Sequence, residues 1–195
     1  LYNIISDHNH SSLYQVGSEN HLIKRINMRE QLVKLVEIIP IEFVVRNIAT
    51  GSLTKRLGIE EGTVLERPLI EFNYKNDELR DPLIAREHIY AFGWATPIEI
   101  NRITDQCLRI NDFMQGMFKA VGIKLVDFKL EFGRLNQNGK KKIILADEIS
   151  PDSCRLWDKD GASLDKDVFR QGTDMDAVST VYNYIHDLIQ ADNID

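Results

Sequence analysis

The stretch that decides the fold is Leu125-Val126-Asp127-Phe128-Lys129-Leu130-Glu131-Phe132, where apolar and polar side chains alternate from Val126 onward. A period of two places successive side chains on opposite faces of a β-strand. The dipeptide Asn138-Gly139 and a second apolar run at 143–145 follow, and together they predict a β-hairpin. The polar face of the first strand is either a solvated sheet surface or the wall of a site for a metal ion and phosphates.

The segment 146–158 follows the apolar run, and we expect it to form a loop at the end of a buried strand. It carries four carboxylates, one arginine and one cysteine: Asp147, Glu148, Asp152, Asp158, Arg155 and Cys154. Mg²⁺ prefers a few carboxylates together with substrate oxygens, so this loop is a candidate metal and phosphate site. A solvated Asp-rich turn is the alternative, and the segment alone leaves both open.

A second polar segment lies at 44–62. The sequence predicts strands at 21–28 and 31–46, and the second of these ends at Arg46. Gly51-Ser52 then begins a short helix over 52–57 that Gly58 closes, with Ser52 as the expected cap. Free amides, a hydroxyl and a guanidinium together indicate an anion site.

The clearest helix signal is Thr96-Pro97-Ile98-Glu99, a capping box with proline at the first helical position. Apolar residues at helical spacing continue to Val121, and Gly122 ends the pattern. Similar spacing predicts a helix at 1–16 and another that begins at Thr173.

Composition excludes several classes of function. The chain has 195 residues, is 43% hydrophobic and has a formal net charge of -6. This charge argues against a general nucleic-acid binder. No run approaches the roughly 20 apolar residues of a membrane span. Cys107 and Cys154 form no disulfide framework, so we expect free thiols and a cytoplasmic location.

Five motifs, taken in order, resemble one family. They are Arg46-Asn47 with Ala49-Thr50-Gly51-Ser52-Leu53 and Lys55-Arg56-Leu57-Gly58; Lys75-Asn76-Asp77 with Asp81-Pro82; Asp127-Phe128-Lys129-Leu130-Glu131-Phe132-Gly133; Asp147-Glu148-Ile149-Ser150-Pro151-Asp152 with Arg155-Leu156-Trp157-Asp158; and Phe169-Arg170-Gln171. Their order and spacing resemble the SAICAR synthetases of purine biosynthesis, of the bacterial single-function type.

The resemblance implies an α+β fold with a mostly antiparallel sheet and flanking helices. It implies one compact unit over 1–195, with the remainder of an N-terminal lobe at about 1–38 and a larger substrate and metal domain at about 39–195. Family members begin with a β-rich lobe over ATP, and Leu1 aligns after it. We therefore expect that lobe to be largely absent from this chain, which leaves an open groove and little turnover.

The implied activity is an ATP-dependent ligation. L-Aspartate would be joined to 5-amino-1-(5-phospho-D-ribosyl)imidazole-4-carboxylate (CAIR), giving SAICAR, ADP and phosphate through an acyl phosphate. The implied cofactors and partners are ATP, Mg²⁺ and these small molecules, in a homodimer without nucleic acid or membrane. A kinase-like phosphotransferase and a non-catalytic nucleotide-binding module remain as alternatives.

The resemblance also assigns roles to individual residues. The ribonucleotide would be bound by Arg46, Ser52, Arg155, Asp152 and Arg170. The metal ligands would be Glu131 and Asp147, and Lys75, Asp81 and Lys129 would act on the reacting groups. The adenine would lie along Glu37, Ile38 and Ile39, with Lys75 also near the nucleotide.

Hairpin geometry gives one sharper expectation. A strict two-residue turn at Asn138-Gly139 pairs Glu131 with Ala146 and sends Asp147 to the opposite face. Because a shared metal site needs Glu131 and Asp147 together, we expect a three-residue or bulged loop that shifts the register by one.

Overall fold

The computed structural model describes residues 19–27, 30–150 and 152–164. Its elements, in chain order, are β1 (Leu22–Arg25), β2 (Gln31–Val33), β3 (Glu37–Ile48), α1 (Ser52–Leu57), β4 (Val64–Tyr74), a 3-10 helix (Asp77–Leu79), β5 (Leu83–Ile84), α2 (Arg86–Ala91), α3 (Pro97–Ala120), β6 (Lys124–Gln137), β7 (Lys140–Ala146) and β8 (Cys154–Trp157). The helices predicted at 1–16 and from Thr173 lie outside the described residues.

The main sheet has six strands, with the order β5-β4-β3-β6-β7 and β8 also paired with β6. Every pairing between these strands is antiparallel. The long strand β6 has room for two partners along one edge: β8 pairs with its first half and β7 with its second. Strands β1 and β2 form a separate two-stranded sheet. The predicted α+β class with a mostly antiparallel sheet is confirmed.

Helix α3 supplies the apolar partner of the main sheet. Its capping box forms as predicted: Glu99 N–H donates to Thr96 Oγ1 at 3.3 Å, and Thr96 N–H donates to Glu99 Oε2 at 2.8 Å. Its buried side chains join those of β3, β4 and β6 in one core, which includes Phe43, Val45, Phe72, Ile103, Cys107, Ile110, Met114, Phe118, Phe128 and Phe132. Alternation along β3 and β6 therefore leaves their polar residues on the other face.

The strand predicted at 31–46 is in fact two strands, β2 and β3. Within β3 the pairing with β6 moves from Ile38 opposite Gly133 to Glu42 opposite Glu131, so four steps along β3 match two along β6. Pro40 lies in this irregular stretch. Proline has no N–H for the sheet ladder and is tolerated inside a sheet only at such a break.

The expected shift of the hairpin register is wrong. Gln137 pairs with Lys140 and Glu131 with Ala146, which is the register of a strict two-residue turn. Asn138 and Gly139 have φ of 52° and 75°, as the tight hairpin turn requires at both positions.

Two further elements differ from the sequence expectations. The acidic segment is not all loop, because Cys154 lies buried in strand β8. Helix α2 was not predicted, since six residues give too little periodicity. The division of the chain near residue 38 stays a prediction. None of the helices in the described ranges combines the length and apolar character that a membrane crossing requires.

Candidate functional site

The polar face of the main sheet carries charges in register on its two central strands. On β6, Asp127, Lys129 and Glu131 lie opposite Arg46, Val44 and Glu42 of β3, respectively. Asp127 is 4% exposed and Glu131 is 2% exposed, so this face is not the solvated surface that the sequence allowed. Buried charges need partners, and two groups of side chains supply them.

The first group, the arginine cluster, comprises Arg46, Ser52, Arg56, Glu71, Asp127 and Arg155. Arg46 lies at its centre and donates to Glu71 Oε2 at 2.7 Å, to Asp127 Oδ2 at 2.6 Å and to Ser52 Oγ at 3.0 Å. Arg155 Nη1 donates to both oxygens of Asp127, at 3.1 and 2.9 Å. Arg56 also donates to Glu71. Arg46, Ser52 and Arg155 therefore lie in one cluster, as expected, and their binding of the ribonucleotide stays a prediction.

Ser52 and Gly51 have different roles from those expected at the start of α1. Gly51, not Ser52, occupies the N-cap position of the helix, and no side chain makes a capping hydrogen bond there. The Ser52 hydroxyl instead accepts from Arg46. Gly51 has φ 60° and ψ −124°, and a Cβ added there would lie 3.3 Å from Arg155 Nη2. Glycine thus provides both an uncommon backbone conformation and room for the Arg155 guanidinium.

The second group, the lysine cluster, comprises Glu42, Lys75, Lys129, Glu131 and Asp147. Lys129 Nζ lies 2.8 Å from Glu131 Oε1, 3.1 Å from Glu42 Oε1 and 3.3 Å from Asp147 Oδ2. Lys75 donates to the other oxygen of Glu131. One buried carboxylate is therefore held between two ammonium groups.

The electrostatics of the lysine cluster favour the charged forms of Lys129 and Asp147. Burial opposes the charged form of Lys129, but the hydrogen bond and charge of Glu131, followed by those of Glu42, outweigh it and raise the pKa. Burial likewise disfavours ionised Asp147, but the charge of Lys129 and the hydrogen bonds to Asp147 together outweigh it and lower the pKa of Asp147. Glu148 has a raised pKa because of burial and the nearby charges of Asp147 and Asp152.

Asp147 reaches the cluster from outside the strand. Strand β7 ends at Ala146, and Asp147 has φ 59°, in the left-handed region. The backbone turn at this residue, and not a shifted hairpin register, brings its carboxylate to Lys129.

The other predicted residues are more dispersed. Asp81 accepts a hydrogen bond from the backbone N–H of Asn76 at 2.8 Å. Glu37 is exposed and pairs with Arg134 and Lys141, while Ile39 is fully buried. Asp152 is exposed in the turn before β8. Arg170 lies outside the described residues, so its role stays a prediction.

Comparison with known proteins decides the family. The chain matches the SAICAR synthetase family over residues 1–185. It belongs to that family. A curated relative, phosphoribosylaminoimidazole-succinocarboxamide synthase of Pelagibacter ubique, is 66% identical over 172 residues, which cover 88% of this chain and 66% of that protein. The chain thus spans about two thirds of the length of that relative.

Solved structures of SAICAR synthetases share the fold. The enzyme of Ehrlichia chaffeensis is 46% identical with a TM-score of 0.89, and the match covers 97% of this chain and 79% of that one. A type-2 SAICAR synthetase in complex with ADP is 41% identical with a TM-score of 0.87, covering 96% and 78%.

The carboxylate and lysine side chains of the lysine cluster fit Mg²⁺ bound together with phosphates. Glu131 and Asp147 offer carboxylate oxygens around one point, which Lys129 Nζ contacts. No three acidic, histidine or cysteine side chains among residues 19–27, 30–150 and 152–164 are placed to hold a metal by themselves. Mg²⁺ commonly completes its shell with phosphate oxygens and water, so two carboxylates suffice.

Sequence reasoning missed several charged residues of the site. Sequence reasoning gives Glu42, Arg56 and Glu71 no individual role, and it places Asp127 on the polar face of the strand without an individual role. The alternation of β-strand side chains could have identified Glu42 and Glu71. Glu42 lies two positions before Val44 and four before Arg46, so all three side chains are expected on the same face of the strand. Glu71 lies between Ile70 and Phe72, which is the pattern of a strand with one polar face.

Proposed function

We propose that the intact protein ligates L-aspartate to CAIR, with consumption of ATP, to give SAICAR, ADP and phosphate. The observation that carries this proposal is the pair of charged clusters on one face of β3 and β6, in a chain of the SAICAR synthetase family. The arginine cluster, with its guanidinium groups, suits a phosphate monoester. The lysine cluster, with its carboxylates and ammonium groups, suits a nucleotide phosphate with its metal. The ADP complex of a related synthetase supports use of ATP.

The arginine cluster would bind the ribonucleotide phosphate. Arg46, Arg56 and Arg155 carry three positive charges against the two of Glu71 and Asp127, which leaves one net positive charge. Glu71 and Asp127 hold the guanidinium groups in fixed positions, so little reorganisation is needed when a phosphate binds. Asp152 and Arg170 remain proposed contacts on the same substrate.

The lysine cluster would serve the phosphoryl transfer. Glu131 and Asp147 would hold Mg²⁺, which when bound neutralises oxygens of the ATP phosphates. Lys75 and Lys129 would balance negative charge on the imidazole carboxylate and the phosphoryl group, with Asp81 nearby. The backbone of Glu37, Ile38 and Ile39 is proposed to lie beside the adenine.

The chemistry follows from the poor acyl reactivity of a carboxylate. A carboxylate oxygen of CAIR attacks the γ-phosphorus of ATP, and the bond to ADP breaks. The amine of aspartate then attacks the acyl carbon, loses a proton and expels phosphate. Both steps depend on orientation and charge stabilisation and need no side-chain nucleophile.

Omission of single substrates tests the proposal. The intact protein is incubated with Mg²⁺, ATP, L-aspartate and CAIR, and ADP and the succinocarboxamide are quantified together. We expect one product per ADP and no sustained ADP release when either aspartate or CAIR is omitted. Multiple turnovers of ADP release without aspartate would indicate a phosphotransferase, and CAIR binding without turnover would indicate a non-catalytic module. The homodimer and the cytoplasmic location stay predictions.

A further inference from the structure

Glu42 is a partly buried carboxylate of the lysine cluster that has no assigned role in binding. Its side chain is 14% exposed, and the residue lies directly opposite Glu131 on the neighbouring strand. Like charges in opposed sheet positions repel, so this pairing costs stability unless a cation lies between them. Lys129 supplies that cation, with Nζ at 3.1 Å from Glu42 and 2.8 Å from Glu131.

Lys129 faces a competition once the proposed metal binds. Its other two carboxylate partners, Glu131 and Asp147, are the proposed ligands of Mg²⁺. An ammonium and a divalent cation repel each other strongly at contact distance in a partly buried site. Of the three carboxylates that contact Lys129, Glu42 alone would then remain available to it.

The sheet geometry directs Lys129 toward Glu42. The residue opposite Lys129 on β3 is Val44, whose side chain offers no hydrogen bond. Glu42 lies next along the same face, so the ammonium keeps a partner without leaving the polar face.

We propose that Glu42 is a positioning residue, which holds Lys129 on the polar face of the sheet while Mg²⁺ occupies Glu131 and Asp147. This inference rests on the proposed function. Glu42 acts through Lys129 and touches neither the metal nor the substrates. Its loss would let Lys129 swing into solvent in the metal-bound protein.

Chemical labelling of lysine measures this directly. The intact protein is treated briefly with an amine-acylating reagent, with or without Mg²⁺, and modification of each lysine is quantified by peptide mass spectrometry. In Glu42→Gln with Mg²⁺ we expect Lys129 to be labelled severalfold more than in the wild type, consistent with loss of a charge-assisted contact. Lys159, which is 84% exposed, should be labelled equally in both. The matched control is Glu66→Gln, which removes an exposed carboxylate from β4.

Mn²⁺ binding, followed by electron paramagnetic resonance, separates the two ways of failing. Suppose that Mn²⁺ binds to the wild type but not to Glu131→Gln, and that Lys129 is labelled equally in the wild type and in Glu42→Gln. This result overturns the role of Glu42 and leaves the metal assignment standing. Equal Mn²⁺ binding in the wild type and in Glu131→Gln, or no Mn²⁺ binding in either, overturns both the metal assignment and the role of Glu42. Circular dichroism and a thermal melt establish that Glu42→Gln is folded.

Kinetics add a readout that a purely structural role would not move. Glu42→Gln should lower kcat about tenfold, as expected for one lost charged interaction, and leave the KM for CAIR within about threefold. In a Lys129→Met background the same substitution should have little further effect, because it acts through Lys129. Independent, multiplicative losses would overturn the inference.

Discussion

Asp147 and Glu131 both contact the ammonium group of Lys129. They do so although Asp147 lies just beyond the end of β7, the strand that pairs with Glu131. Lys129 Nζ lies 2.8 Å from Glu131 and 3.3 Å from Asp147. The left-handed backbone of Asp147, with φ 59°, makes the meeting possible. The expected bulge is unnecessary, because a single residue after the strand redirects the chain.

Substitutions at Asp147 should separate backbone from charge. Asn tolerates the left-handed region, so Asp147→Asn should keep the free energy of unfolding and lose Mn²⁺ affinity and turnover. Asp147→Ala should also lose Mn²⁺ affinity and turnover, and it should in addition lower the free energy of unfolding by about 1–2 kcal/mol. Urea unfolding and Mn²⁺ titration measure the two effects. Equal unfolding free energies for the Asn and Ala variants would contradict the backbone argument.

Gly51 and Gly58 form a matched pair at the two ends of helix α1. Both have positive φ, but an added Cβ meets Arg155 only at Gly51 and meets nothing within 4 Å at Gly58. Gly51→Ala should therefore raise the KM for CAIR several-fold by displacing Arg155. Gly58→Ala should cost about 1 kcal/mol of stability with unchanged KM. An unchanged KM in Gly51→Ala would show that Arg155 is not confined by this glycine.

The ion pair between Glu99 and Arg134 gives a pH prediction. The Arg134 hydrogen bond is the main cause that lowers the pKa of Glu99 from 4.5 to about 2, with burial opposing it. Because the folded-state pKa is depressed, the stabilisation is present above about 4.5 and is lost as pH falls towards 2. Glu99→Gln should flatten the loss of stability in that window, whereas Glu87→Gln, an exposed control on α2, should not. Thermal melts from pH 5 to about 2 measure this; parallel curves for wild type and Glu99→Gln would refute it.

The sequence was a good guide wherever local chemistry determines structure. Thr96-Pro97-Ile98-Glu99 is a self-contained helix start, and it forms as predicted. The strand around Phe128 and the existence of a hairpin at Asn138-Gly139 are likewise specified by alternation and by backbone preference, although the expected bulged loop is wrong.

The rest depends on contacts between distant segments. Nothing near Glu71 in sequence indicates that Arg46 and Arg56 will reach it from another strand and a helix. Strand β8 forms because β6 is long enough to pair with a second strand along the same edge. The four residues of β8 do not by themselves predict this pairing. Pro40 interrupts the β3 ladder, and only the pairing with β6 shows how the sheet accommodates it.

The central claim is that the arginine cluster holds the ribonucleotide and the lysine cluster serves ATP. The most direct measurement is the KM for CAIR and for ATP in the intact protein with Arg155→Ala, a substitution that leaves Asp127 its contact with Arg46. Loss of one charge-assisted contact of roughly 1.5–3 kcal/mol predicts about a tenfold to hundredfold rise in the KM for CAIR, with the KM for ATP nearly unchanged. An equal rise in both KM values would contradict the account.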